Sequence, residues 1–156
     1  MSHPVIETQY YTVVVVRTGE RFLLVQETKH DHRWYFPAGH LEIGEDFVQA
    51  ALRETREEAG IEIQLDGILR VEHTPRADGG TRVGVLFLAR PKRNLPLKSV
   101  PDEMSLGAAW VTAQDVEQYP PRGPEVSYLM AYVLASPRVY PLDVVQRAGT
   151  PFPRLD

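Results

Sequence analysis

Residues 46–60, DFVQAALRETREEAG, read as one helix whose two faces make conflicting demands. Asp46 and Gln49 have the spacing of a capping box at its start, and Gly60 suits a C-terminal cap. At about 100° per residue, Phe47, Ala51, Thr55 and Ala59, with Val48 and Leu52, form a sector of roughly 140° that must be buried. Gln49, Arg53 and Arg56 lie largely opposite and face water. Glu54 and Glu58 border the buried sector, and Glu57 sits slightly further round. The chain must therefore supply an apolar layer for this helix and also accommodate three carboxylates beside that layer.

Those carboxylates are costly. They repel one another and resist desolvation. Glu54 and Glu58 form a like-charge pair four apart, and acidic groups near a helix C-terminus oppose its dipole. A bound cation offsets all three costs. The donors in this helix are oxygens, with no cysteine in the chain, and that set suits magnesium or manganese rather than zinc. The bland alternative is a solvated acidic stripe paired with Arg53 and Arg56. It leaves unexplained the approach loop PAGHLEIGE, whose glycines let backbone groups come close to a metal or phosphate.

The rest of the chain supplies the layer. YYTVVVVR (10–17) and RFLLVQE (21–27) are β-branched and aromatic runs around a TGE turn, and predict a hairpin in a sheet covered on both faces. IEIQLDGILRVEHT predicts one or two strands, RVGVLFLA (82–89) another, and Ala108–Val111 a short one. Ala113–Gln118 suits one or two helical turns. Gly123–Pro124 opens a second helix with Pro124 at its first position, and Val126, Leu129, Met130, Val133 and Leu134 on one face. Strands mixed with two main helices predict a layered α/β fold. With 156 residues, one domain over 1–156 is expected, its tail from 137 to 156 docking on the domain, reaching a partner subunit, or loose. The His30–Arg33 stretch with Lys29 reads either as a metal or phosphate cluster or as a solvated loop. A net charge of −4 argues against a nucleic-acid face. No signal peptide or membrane span is apparent, so a cytoplasmic location is the default expectation.

Residues 39–61 resemble the signature sequence of the Nudix hydrolases, the MutT-like family. The matching positions are Gly39, Glu45, Arg53, Glu54, Glu57, Glu58, Gly60 and Ile61, and the departure is Thr55, where the family usually has a bulky aliphatic residue. The resemblance implies an α/β/α sandwich with a mixed β-sheet, Mg2+ or Mn2+ as cofactor, and hydrolysis of a phosphoanhydride in a nucleoside diphosphate linked to another group. It implies that Glu54 and Glu58 ligate metal, with Glu57 sharing metal or its water and the Ala38 carbonyl as a further ligand. Arg53 would hold the glutamates by a buried ion pair, Glu45 would brace the loop or reach metal through water, and Glu42 would stand behind the direct ligands. The base would be a signature glutamate or an acid of a later loop, Glu103, with Asp102 its rival. A non-catalytic Nudix-like module that binds nucleotide is the alternative.

The substrate is less legible. Gly39, Trp34 and Arg70 are candidate contacts for a small nucleotide or pyrophosphate, with aromatic stacking on Tyr10, Tyr11, Trp34, Tyr35 or Phe36. Nothing in the sequence decides between a monomer and a homodimer.

Overall fold

Four consecutive valines are buried by opposite partners. In the computed structural model, which describes residues 2–156, they lie in β1 (Thr8–Thr18). Successive side chains of a strand point to opposite faces, so Val13 and Val15 enter one apolar cluster and Val14 and Val16 another. β1 pairs in parallel with β6 (Thr81–Pro91) and antiparallel with β4 (Ala38–His40). β6 in turn pairs antiparallel with β5 (Ile63–Pro75). The predicted hairpin forms: β1 meets β2 (Arg21–Gln26) at Arg17↔Phe22 and Thr18↔Arg21. Beyond that point β2 leaves β1 and pairs with β3 (Trp34–Tyr35) and β7 (Gly107–Thr112). The sheet thus has seven strands and is mixed.

Helix α1 (Phe47–Ala59) covers one face and α2 (Glu125–Leu134) the other, through Val126, Met130 and Val133. The caps of α1 are those its sequence predicts. Asp46 and Gln49 form a reciprocal capping box, and Gly60 ends the helix in the left-handed region at φ 74°. Two details differ from expectation. Pro124 stands one position ahead of α2, and Ala113–Gln118 yields only a 3-10 turn at Val116–Gln118.

The tail docks on the domain as far as Arg147. Tyr140 and Ile68 exchange backbone hydrogen bonds of 2.8 Å across the free edge of β5. Leu142 and Val145 pack on the α1-side core, and Arg147 pairs with the helix cap Asp46 at 2.9 Å. A Cβ on Gly67 would overlap Val139 and the Tyr140 carbonyl. Gly67→Ala is therefore expected to lift the strap from β5 and lower stability by about 2 kcal/mol. Thermal denaturation and amide exchange at Ile68 and Tyr140 check this.

Candidate active site

The site is built where β4 passes α1. In the β1–β4 ladder, Val14 N–H donates to the Pro37 carbonyl at 2.9 Å and Leu41 N–H to the Tyr10 carbonyl at 3.0 Å. Hydrogen-bonded pairs alternate with non-bonded ones in an antiparallel ladder, so the backbone groups of Ala38 and His40 turn away from β1. They meet α1 instead. Ala38 N–H donates to Glu58 Oε2 at 3.1 Å, and the His40 carbonyl accepts from Arg53 Nη2 at 3.0 Å. The Ala38 carbonyl faces the same side. Between them, Gly39 lies against Glu54, whose carboxylate a Cβ there would overlap.

This contact rotates α1 relative to the expected wheel. Ala50, Ala51, Glu54, Thr55 and Ala59 are buried, while Leu52 is 39% exposed. Glu54 thus lies within the buried face rather than at its edge, and Glu58 is half-buried at its margin, where β4 offers polar backbone groups to receive them. Thr55 is satisfied by donating its hydroxyl to the Ala51 carbonyl at 2.9 Å.

Arg53 does not face water. Its side chain is 13% exposed, and all five N–H groups of the guanidinium are used. Nε donates to Glu45 Oε2 at 2.7 Å, Nη1 to Glu54 and Glu57 at 2.8 and 3.1 Å, and Nη2 to Glu45 Oε1 and His40 O at 2.9 and 3.0 Å. Glu42 stands at 3.7 Å, mostly exposed. Hydrogen bonding to Glu45 above all raises the already high pKa of Arg53, and the same bond lowers that of Glu45. Glu45 also accepts from Glu42 N–H, closing the approach loop.

Among the described residues Glu58 has no cationic partner within bonding distance. Burial, then the charge of Glu54, pushes its carboxyl up to about 9. Burial also raises Glu54, against the pull of Arg53. The donors near one another are three carboxylates and a backbone carbonyl, a set that fits a hard divalent cation. Among the described residues no three His, Asp or Glu side chains converge on one point. Arg53 draws Glu54 and Glu57 one way, and Ala38 N–H draws Glu58 another.

Lys98 and Ser105 also hold the C-terminal end of α1, donating to the Glu57 and Glu58 carbonyls at 3.0 and 2.6 Å. Asp102 pairs with Lys98 and accepts from the Met104 and Ser105 amides, so it is committed to its turn. Glu103 is exposed, with no hydrogen-bond or ion-pair partner among the described residues.

On the opposite face lies a cleft of about 1060 Å3 between the sheet, α2 and the tail, lined among others by Tyr35, Leu69, Glu72, Glu125, Tyr132 and Arg138. Arg70 lines it too, paired with Glu72 at 2.6 Å. Tyr11 also donates to Glu72, and burial pushes its phenol up to about 12. Trp34 does not line the cleft; its ring packs edge-on against Tyr119 at 5.0 Å. Tyr35 and Ala38 are three residues apart, roughly 10 Å of extended chain, so cleft and carboxylates lie close together. Sequence reasoning missed two residues there, Glu27 and Arg122, paired at 3.0 Å. They carried no local signal, being 95 residues apart.

A model of the NUDIX domain matches residues 8–132, from the first residue of β1 into α2. The chain belongs to the NUDIX family. This NUDIX domain is 41% identical over 105 residues to the human 8-oxo-dGDP phosphatase NUDT18, covering 64% of this chain and 31% of that protein. It is 31% identical over 140 residues to the phosphatase NudJ of Escherichia coli strain K12, covering 88% and 90%. A NUDIX hydrolase structure from Nitrosomonas europaea superposes with a TM-score of 0.75 at 27% identity, covering 93% of this chain and 100% of that one. The chain spans about a third of the length of human NUDT18 and nine-tenths of NudJ. Among the described residues, no helix is long and apolar enough to cross a membrane.

Proposed function

We propose that this NUDIX domain is a divalent-cation-dependent pyrophosphohydrolase that cleaves a phosphoanhydride in a purine nucleoside diphosphate, free or linked to another group. The observation that carries this is Glu58, a half-buried carboxylate beside the buried Glu54, with the Ala38 amide as its one hydrogen-bond donor among the described residues. A cation there relieves a cost the fold otherwise bears. Glu54, Glu57, Glu58 and the Ala38 carbonyl are the proposed donors. When bound, Mg2+ or Mn2+ neutralises phosphate oxygens and lowers the pKa of water.

The chain's own groups do the rest. Arg53 restrains Glu54 and Glu57 so that few rotamers must be fixed on binding, and Glu45, with Glu42, braces the loop that carries Gly39. Gly39, with no Cβ, lets the Glu54 carboxylate lie directly against β4. Of the three signature glutamates Glu57 is more exposed than Glu54, which gives it access to a water and makes it the proposed base. Glu103, unpartnered in its loop, is the second candidate. The cleft suits a purine. Glu72 and Glu125 accept N–H donors of a base edge, and the tyrosines offer stacking faces. The 8-oxo-dGDP named for NUDT18 is a nucleoside diphosphate of this kind.

A panel of nucleoside diphosphates, triphosphates, nucleotide sugars and ADP-ribose is the test, with Mg2+ and with chelator, and with products identified. Cation-dependent turnover of a guanine diphosphate is expected. Glu57→Gln should lower kcat by 10²-fold or more, a typical scale for a general base, and Glu103→Gln by less than about 3-fold. Nucleotide binding without turnover of any compound would leave the non-catalytic module as the reading.

A further inference from the structure

We propose that Arg122 is the residue that positions the substrate's phosphates between the cleft and the carboxylates, with Glu27 as its tether. The inference deepens the reading above and rests on it for the identity of the ligand.

The backbone around Arg122 is fixed. Trp34 N–H donates to the Pro120 carbonyl at 2.9 Å and Arg122 N–H to the Trp34 carbonyl at 2.8 Å, so the segment before α2 is bridged to β3. From there the guanidinium reaches over the Tyr35 ring, its Cζ 3.6 Å from the centroid. Nη1 donates to Glu27 Oε1 at 3.0 Å. Tyr35 lines the cleft. Glu27 follows Gln26, whose carbonyl accepts from Leu106 N–H, while the adjacent Ser105 holds the Glu58 carbonyl. Arg122 therefore stands at the Tyr35 side of the cleft, held against Glu27.

A donor count separates it from Arg53 and Lys98, the cations that hold α1, and Arg138 lines the cleft from the tail. Arg53 has every N–H engaged within the protein. Lys98 is engaged by the Glu57 carbonyl and Asp102. Arg70 lines the cleft from β5, which is separated from β4 by β1 and β6. Arg122 donates Nη1 to Glu27 and lies against Tyr35, and 31% of its side chain is exposed, so donors of its five remain free among the described residues. Its planar fork matches phosphate oxygens, and stacking on Tyr35 keeps the fork oriented. Glu27 Oε2 is buried without a hydrogen bond, with His30 Nδ1 at 3.2 Å, so the carboxylate is held in place to retain the guanidinium when a phosphate takes its free donors.

The test is binding in chelator, with no turnover required. GDP and guanosine are titrated calorimetrically into the full chain and into Arg122→Ala. The expected result is a loss of about 10- to 100-fold for GDP, the scale of a charge-assisted hydrogen bond, with guanosine unchanged within twofold. Parallel loss of both, or loss of neither, would overturn the proposal. If Arg122→Ala does not fold, the same GDP-to-guanosine ratio for Arg122→Gln decides it, a fall in the ratio supporting the proposal and an unchanged ratio overturning it. If GDP binds through Arg122 yet no diphosphate is hydrolysed, the positioning role stands and the hydrolase reading falls.

Discussion

Arg53→Met is expected to destabilise the domain by about 3–5 kcal/mol, the cost of removing one partner from a largely buried charge network. Methionine keeps much of the length and apolar stem of the side chain, so the loss reports the guanidinium. Glu45, Glu54 and Glu57 would be left facing one another without a cation, and the His40 carbonyl without a donor. The penalty should be pH-dependent with a definite sign. Arg53 lowers the folded-state pKa of Glu45, and a lowered carboxylate contributes stability that is present above its unfolded pKa and lost as pH falls through the folded one. The gap between wild type and variant should therefore narrow from pH 7 to pH 4. Urea denaturation at the two pH values measures it. A loss below about 1 kcal/mol at pH 7 would mean that these pairs behave as ordinary surface ion pairs.

Glu58→Gln should divide stability from activity. The folded-state pKa of Glu58 is raised to about 9 by burial and Glu54. A raised carboxyl contributes stability that is complete below its unfolded pKa, about 4.5, and is lost as pH climbs to about 9. Without cation, the wild type should thus lose stability across that window. Glutamine, which cannot ionise, should make the variant more stable at pH 8 by about 2–4 kcal/mol, allowing for solvent screening of a partly accessible group. Adding Mg2+ should reverse the order, because a cation that binds only the folded wild type raises its apparent stability. Turnover should fall by about 10³-fold or more if Glu58 is a cation ligand as proposed. Thermal melts of both proteins in EDTA and in Mg2+, at pH 6 and 8, test the whole pattern. A variant less stable than wild type in EDTA at pH 8 would sink it.

Much of this was legible from local sequence. The β1–β2 hairpin, the buried valines and both ends of α1 follow from spacings within about ten residues, where propensity, capping and turn chemistry act. The signature residues were equally visible, because one helix and its approach loop carry most of them. The wheel failed where a second element mattered. It put Arg53 in water and Glu54 at an edge, since periodicity records apolar side chains and not the backbone donors and acceptors of a neighbouring strand.

Trp34 shows the same limit. An aromatic residue before the approach loop is a reasonable stacking candidate by type, yet Tyr119 takes its ring edge-on, and Tyr35, the next residue, lines the cleft instead. Alternation along a strand makes such a swap a matter of one position, and only the partner strands decide which position faces where.

The sequence by itself determined that the chain would place three glutamates on one capped helix behind a glycine-bearing loop, within a sheet covered on both faces. Tertiary structure alone decided what those glutamates meet. The non-bonded positions of β4 turn the Ala38 amide and the His40 carbonyl onto α1. The tail closes one wall of the cleft, and Glu27 and Arg122 pair across 95 residues. Contacts at that separation leave no periodic trace in the chain, because each partner's local surroundings are satisfied whether or not the other arrives.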